Sequence, residues 1–201
     1  MSCALPGAVA YFVRDGELHS PNPLCATGHG TSASGCPVPC GLNIPHRKDA
    51  ILIDFCHIPV SIIKRSEGRS AVAAAAYRSG TKLTNEWDGL THDYTRKGGV
   101  VHAEIMLPAH APPEFADRST LWNSVEQIEK ARDSQLAREI EAALPRELSR
   151  EQQLAIVHAY VKDNFVDKGM CADFAIHDKG TGNPHVHIML TLRPLVARHD
   201  F

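Results

Sequence analysis

The sequence predicts an α+β fold, a central and mainly antiparallel sheet flanked by helices, with elements in the order β-α-β-α-β-α-β-β. Three observations predict it. Runs rich in apolar and β-branched residues recur at 51–63, 100–107, 136–144, 172–177 and 184–193. Segments with helical periodicity or capping signals separate them, at 71–77, 119–132 and 149–163. The last two strands are joined by Lys179-Gly180-Thr181-Gly182-Asn183, too short for a crossover and long enough for a hairpin.

Each element has a local reason. Ile51 to Ile63 alternates loosely and reads as one strand. Ser70 then offers an N-cap, Ala71 to Tyr77 is rich in the best helix former, and Gly80 suits the residue after a helix end. Val100 to Leu107 reads as a strand stopped by Pro108. From Ser119 to about Arg132, Leu121, Trp122, Val125 and Ile128 share one helical face. Leu136 to Leu144 alternates and stops at Pro145, which favours a strand, although its arginine, glutamates and alanines also suit a helix. Ser149-Arg150-Glu151-Gln152 is a capping box opening a helix that runs to about Asp163.

The chain has 201 residues, 43% of them apolar and 22% charged. That composition excludes a wholly disordered, collagen-like or coiled-coil protein. No run of about 20 uncharged apolar residues exists, so no membrane insertion is expected. The opening residues lack a secretion signal, which points to a cytoplasmic protein with reduced thiols. Residues 1–49 hold six of the 14 glycines, six of the 13 prolines and four of the six cysteines, and they show no sustained period. They read as a poorly ordered N-terminal extension before a domain over 50–201. Cys25, His29, Cys36 and Cys40 offer zinc-ligating atoms there, but their spacings match no common finger pattern, so a loose tail is the favoured reading.

Twelve histidines are the unusual count, and three of them form the clearest constellation. His185 and His187 stand two apart in an otherwise apolar strand and so project to one face. The hairpin brings His177 beside them. Three imidazoles on a rigid sheet suit a metal site with open positions. The competing reading is three unrelated polar residues on a solvated face. Tyr77 follows four small residues, Ala73 to Ala76, which let another backbone approach closely. Its phenol can act as a nucleophile, but taken alone it reads first as a packing residue. Glu139 and Glu141 share one face if 136–144 is a strand, where they could orient a ligand or accept a proton. An exposed charged strand face accounts for them equally well.

The net charge of −2 means that any nucleic-acid surface must be local. Between Lys64 and Lys97 lie seven basic residues against four acidic ones, a net of +3 around Tyr77. Arg69, Arg78, Lys82, Arg96 and Lys97 are therefore candidates for phosphate contact, with an ordinary solvated surface as the alternative. Trp87, Tyr94 and Trp122 could stack on bases or belong to the core.

The segments GRSAVAAAAYRSG (68–80), NEWDGLTHDYTRKGGVVHAEIMLP (85–108), REIEAALP (138–145) and NPHVHIMLTLR (183–193) closely resemble the MobA/MobL relaxases. These are metal-dependent DNA-nicking enzymes of the HUH superfamily, in the group often called MobQ, and the resemblance runs from about 50 to 193. It implies Tyr77 as nucleophile, His177, His185 and His187 as the metal triad, Glu139 as the active-site acid and Glu141 as a second, less uniform acid. It implies strand-specific nicking and rejoining at a plasmid origin of transfer through a 5′-phosphotyrosine link, which initiates conjugative mobilisation. The implied ion is Mg²⁺ or Mn²⁺, with Zn²⁺, Ni²⁺ or Co²⁺ also acceptable to three imidazoles. The implied partners are single-stranded or hairpin DNA at the origin, with accessory mobilisation proteins and a coupling protein. Relatives usually begin near the position of Ile51 and continue well past the last strand. Residues 1–49 are therefore expected to be an atypical leader, and the domain to be truncated at its C-terminus with weak or no sequence-specific nicking in isolation. A fragment that only binds DNA and metal, a related HUH replication initiator, and a histidine-metal hydrolase using water remain alternatives.

Overall fold

The structure, a computed structural model, describes residues 11–14, 17–19, 51–53, 59–180 and 182–195. The chain divides into two units, Met1–Asp54 and Phe55–Phe201. In the first, β1 (Tyr11–Arg14) lies between β2 (Glu17–His19) and β3 (Ile51–Ile53), both antiparallel to it, with Phe12 opposite His19 and Leu52. The proposed zinc ligands Cys25, His29, Cys36 and Cys40 lie outside the described residues.

The second unit is built on a five-stranded antiparallel sheet. Its strands are β4 (Val60–Lys64), β7 (Val100–Met106), β8 (Gln135–Ala143), β9 (Ala172–His177) and β10 (His185–Leu190), in the order β4-β8-β10-β9-β7. The single strand expected over 51–63 is thus two strands, β3 and β4, in different sheets. Pro59 immediately precedes β4 and has no N–H to offer a ladder. Its carbonyl still accepts from Glu141 N at 3.3 Å.

Three helices cover the sheet: α1 (Ala71–Ser79), α2 (Arg118–Ile128) and α3 (Arg150–Asn164). Ser70 caps α1 by accepting from Ala73 N at 3.2 Å, and Gly80 ends it at φ +66°. A Cβ at Gly80 would sit 3.2 Å from the Val100 side chain, so both conformation and space favour glycine there. The capping box at Ser149 and Gln152 forms as expected. α2 ends at Ile128, four residues before the sequence pattern suggests. The Arg65 guanidinium donates to the carbonyls of Glu126 and Glu129, closing the helix from outside. A small hairpin of β5 (Lys82–Thr84) and β6 (Thr91–Asp93) follows α1. Its strands are only three residues long, too short for a period to stand out in the sequence.

The two sheet faces are sorted by the two-residue period. Ile140, Ala142, Phe174, Ile176, Val186, Ile188 and Leu190 pack with Val157 and Val161 of α3. Ala137 and Met189 face the other way and pack with Val72 and Ala75 of α1 and Leu121 and Trp122 of α2. That phase leaves Glu139, Glu141, His185 and His187 on the α1 face. Trp122 is 0% exposed, and its Nε1–H donates to Asp173 at 2.8 Å, so it is a core residue and unavailable for base stacking.

Candidate active site

The site forms where β8, β9 and β10 meet the C-terminal end of α1. His185 lies directly opposite His177 across β9–β10, and His187 lies opposite Glu141 across β10–β8. The histidine rings sit 4.7–5.5 Å apart, centroid to centroid. One ring nitrogen from each lies within 4.8 Å of the other two.

Hydrogen bonds assign two of the protons. A carbonyl can only accept, so His177 Nε2, 2.7 Å from Arg78 O, carries a proton and leaves Nδ1 with its lone pair. His185 Nδ1 donates to Asn183 O at 3.0 Å, which leaves Nε2 free. Donation to a backbone carbonyl is the usual support of a metal-bound imidazole. Burial, then the Lys97 charge and the other two histidines, push His177 down to about 4. It is therefore neutral near pH 7, the form that ligates. His187 Nδ1 is buried without a hydrogen-bond partner. Three convergent imidazoles, one of them with an orphaned ring nitrogen, fit a divalent ion held by His177, His185 and His187.

Glu139 stands beside this triad and is tied down on several sides. Its Oε1 accepts from Arg78 Nε at 2.7 Å and from Arg78 Nη2. Its Oε2 accepts from Ser61 Oγ at 3.1 Å and from Arg69 Nη2 at 3.3 Å. His187 Nδ1 is 3.6 Å from Oε1, beyond a hydrogen bond but well within charge range. Burial alone would raise this carboxyl. The His187 ring, the Arg78 guanidinium and the Ser61 hydroxyl outweigh it and hold Glu139 well below the usual carboxylate range. Glu141 is half-exposed, with Oε2 3.9 Å from His187 Nδ1.

Tyr77 is 48% exposed at the end of α1, next to the residue whose carbonyl touches His177. Its ring meets Tyr94 edge-on at 5.2 Å. Lys97 donates to Tyr77 O at 2.8 Å and holds its ammonium 3.6 Å from the Tyr77 ring centroid. Burial, then Arg78 and Lys179, push Lys97 down to about 8. The α1 helix is anchored at its other end by Glu126, a buried carboxylate that accepts from Ala71 N at 2.8 Å and pairs with Arg65 at 2.7 Å.

The expected basic residues therefore separate into two kinds. Arg69 and Arg78 hold Glu139, and Lys97 covers Tyr77. Arg96 is exposed, and Lys82 lies 3.9 Å from Asp93 at the surface. Ser61 and Glu126 carry no signal in the sequence: a lone serine in a strand and a glutamate in an amphipathic helix are ordinary.

Comparison with known proteins matches residues 69–201 to the MobA/MobL family. The conjugal transfer protein TraA of Agrobacterium fabrum is 48% identical over 151 residues, covering 70% of this chain and 14% of that protein. The mobilization protein MobL of Acidithiobacillus ferridurans is 48% identical over 121 residues, covering 60% of this chain and 31% of its own length. The probable mobilization protein MobA of Bifidobacterium longum is 39% identical over 140 residues, covering 69% of this chain and 25% of that protein. A solved structure described as "Molecular Basis of Vancomycin Resistance Transfer in Staphylococcus aureus" superposes with a TM-score of 0.66 at 32% identity, covering 70% of this chain and 71% of its own. The chain thus spans only a small part of the length of these TraA, MobL and MobA relatives.

Proposed function

Because the chain belongs to the MobA/MobL family, we propose that it nicks and rejoins one strand of plasmid DNA at an origin of transfer, through a 5′-phosphotyrosine link on Tyr77. The observation that carries this reading is the contact of Arg78 O with His177, which sets the turn bearing an exposed phenol against three convergent imidazoles. In this reading the phenol oxygen attacks phosphorus in line and the P–O3′ bond breaks. The DNA leaves with a 3′-hydroxyl, and the 5′-phosphate stays on Tyr77. One phosphodiester replaces another, so the step reverses without an external energy source.

A divalent ion on His177, His185 and His187, Mg²⁺ or Mn²⁺ in cells, would draw charge from the scissile phosphate. Arg78, Arg69 and Ser61 hold Glu139 as an anion beside His187, and we assign it a positioning role that fixes the end of α1 through Arg78. Glu141 reaches the same histidine from a half-exposed position and is better suited to take the phenol proton. The Lys97 ammonium lies over the Tyr77 ring and supplies positive charge beside the attacking group. Arg96 and Lys82 serve as phosphate contacts at the rim. The substrate is single-stranded or hairpin-flanked DNA at the origin, met in the cytoplasm with accessory mobilisation proteins and a coupling protein. Among the described residues no helix is long and apolar enough to cross a membrane.

Strand transfer tests the reading. The chain is incubated with Mn²⁺ and single-stranded oligonucleotides tiling the DNA beside its gene, followed by a second oligonucleotide ending in a free 3′-hydroxyl. A recombinant strand that forms with Mn²⁺ and not with EDTA is expected. Cleavage that yields only free 5′-phosphate would point to hydrolysis by water instead.

A further inference from the structure

On the opposite face of the sheet, under α3, a second group of metal-ligating side chains converges. β7 is an edge strand whose register sets His102 opposite Ile176 and Glu104 opposite Phe174. Ile176 and Phe174 belong to the core beneath α3, so His102 and Glu104 share that face, away from the histidine triad. α3 contributes His158. The Nε2 atoms of His102 and His158 both approach one oxygen, Glu104 Oε2, at 2.9 and 2.8 Å. One ligand atom from each residue lies within 4.8 Å of the others. Phe174, 1% exposed, fixes both rings: His102 packs tilted on it at 5.8 Å and His158 edge-on at 5.5 Å. The three side chains are 35%, 37% and 38% exposed, which leaves one side open to water.

We propose that His102, Glu104 and His158 form a second divalent-metal site, taking a zinc-class ion through two imidazole nitrogens and one carboxylate oxygen. Two imidazole nitrogens with one carboxylate oxygen are a ligand set that Zn²⁺, Co²⁺ and Ni²⁺ take readily. The ion clips α3 to the β7 edge, tying a helix to a strand that is paired on one side only. It replaces the shared acceptor geometry at Glu104 Oε2 with bonds to all three side chains. The site is independent of the DNA chemistry proposed above.

The test is zinc titration of the full chain by calorimetry, starting from a His185→Ala/His187→Ala background that removes the triad. Adding Glu104→Gln or His158→Ala is expected to lower the zinc stoichiometry by one ion per chain and to abolish a zinc-dependent rise in melting temperature. An unchanged stoichiometry in both variants would overturn the proposal. A second reading uses the unsubstituted chain, so that folding of the variants does not decide the outcome. On zinc addition the imidazole ¹⁵N resonances of His102 and His158 are expected to shift together, and resonances that stay fixed at saturating zinc would equally overturn it.

Discussion

The backbone carbonyl of Arg78 accepts a hydrogen bond from His177 Nε2 at 2.7 Å, while the side chain of the same arginine grips Glu139. One residue therefore couples the end of the helix bearing Tyr77 to both the histidine triad and the acidic strand. The helix end cannot move without disturbing His177's proton and Glu139's charge together.

Removing that grip should cost stability. Arg78→Ala leaves Glu139 buried with only Ser61, Arg69 and the His187 ring as partners. Stripping one partner from a buried ion pair costs up to several kcal/mol, and the remaining contacts reduce this to about 2 kcal/mol. Urea denaturation should show a lower midpoint with an unchanged slope. In Arg78→Lys the point charge remains but the two-nitrogen contact is lost, so a smaller deficit is expected.

Acid should weaken the fold through the same carboxyl. Glu139 is held below its ordinary value of 4.5 in the folded chain, so its stabilisation is fully present above that value. It is lost progressively as pH falls below about 4.5 towards the lower folded-state value. Glu139→Gln has no such proton to take up. Its stability should therefore fall less steeply than that of the unsubstituted chain across pH 5 to 3 in denaturation experiments. Parallel curves would show that Glu139 is not the linked group.

Anchoring of α1 at its N-terminal end gives a prediction at a distance from the chemistry. Glu126→Gln removes the buried charge that meets Ala71 N and Arg65. About 2 kcal/mol of stability should be lost, because Arg65 keeps its positive charge in a largely buried position. Since α1 carries Tyr77, covalent trapping of DNA should slow as well. Zinc or manganese binding at the triad, measured by calorimetry, should change little.

The ammonium over the Tyr77 ring predicts a pH signature. Burial pushes Lys97 down to about 8, so its charge beside Tyr77 is present below that pH and fades above it. Lys97→Met keeps the apolar stem and removes the charge. The ratio of trapping rates, unsubstituted over Lys97→Met, should be well above one at pH 7 and fall towards one as pH rises through 8. A ratio that is flat across this range would remove Lys97 from the reaction.

Much of this site is legible in the sequence because strands alternate strictly. The two-residue period puts His185 with His187 and Glu139 with Glu141, and the short connection of seven residues between His177 and His185 leaves little freedom for His177. Ser70 and Gly80 likewise mark the ends of α1 from residue type alone. What the sequence conceals is set by partners distant along the chain. Nothing near Ser61 signals a carboxylate 78 residues away. Nothing near Ile128 indicates that Arg65 will close α2, because a helix end capped from outside leaves no local mark. The strand expected over 51–63 failed for the opposite reason. Its composition suits a strand, while Pro59 has no N–H to give the ladder and the two described stretches join different sheets.

The most direct test of the proposed function is a covalent one. The chain is mixed with Mn²⁺ and the oligonucleotide it cleaves, digested with protease, and the DNA-bearing peptide is sequenced by mass spectrometry. A 5′-phosphate on Tyr77, absent in Tyr77→Phe while that variant still binds metal at the triad, is the predicted result. An adduct on another residue, or cleavage that survives Tyr77→Phe, would contradict the assignment of Tyr77 as the nucleophile.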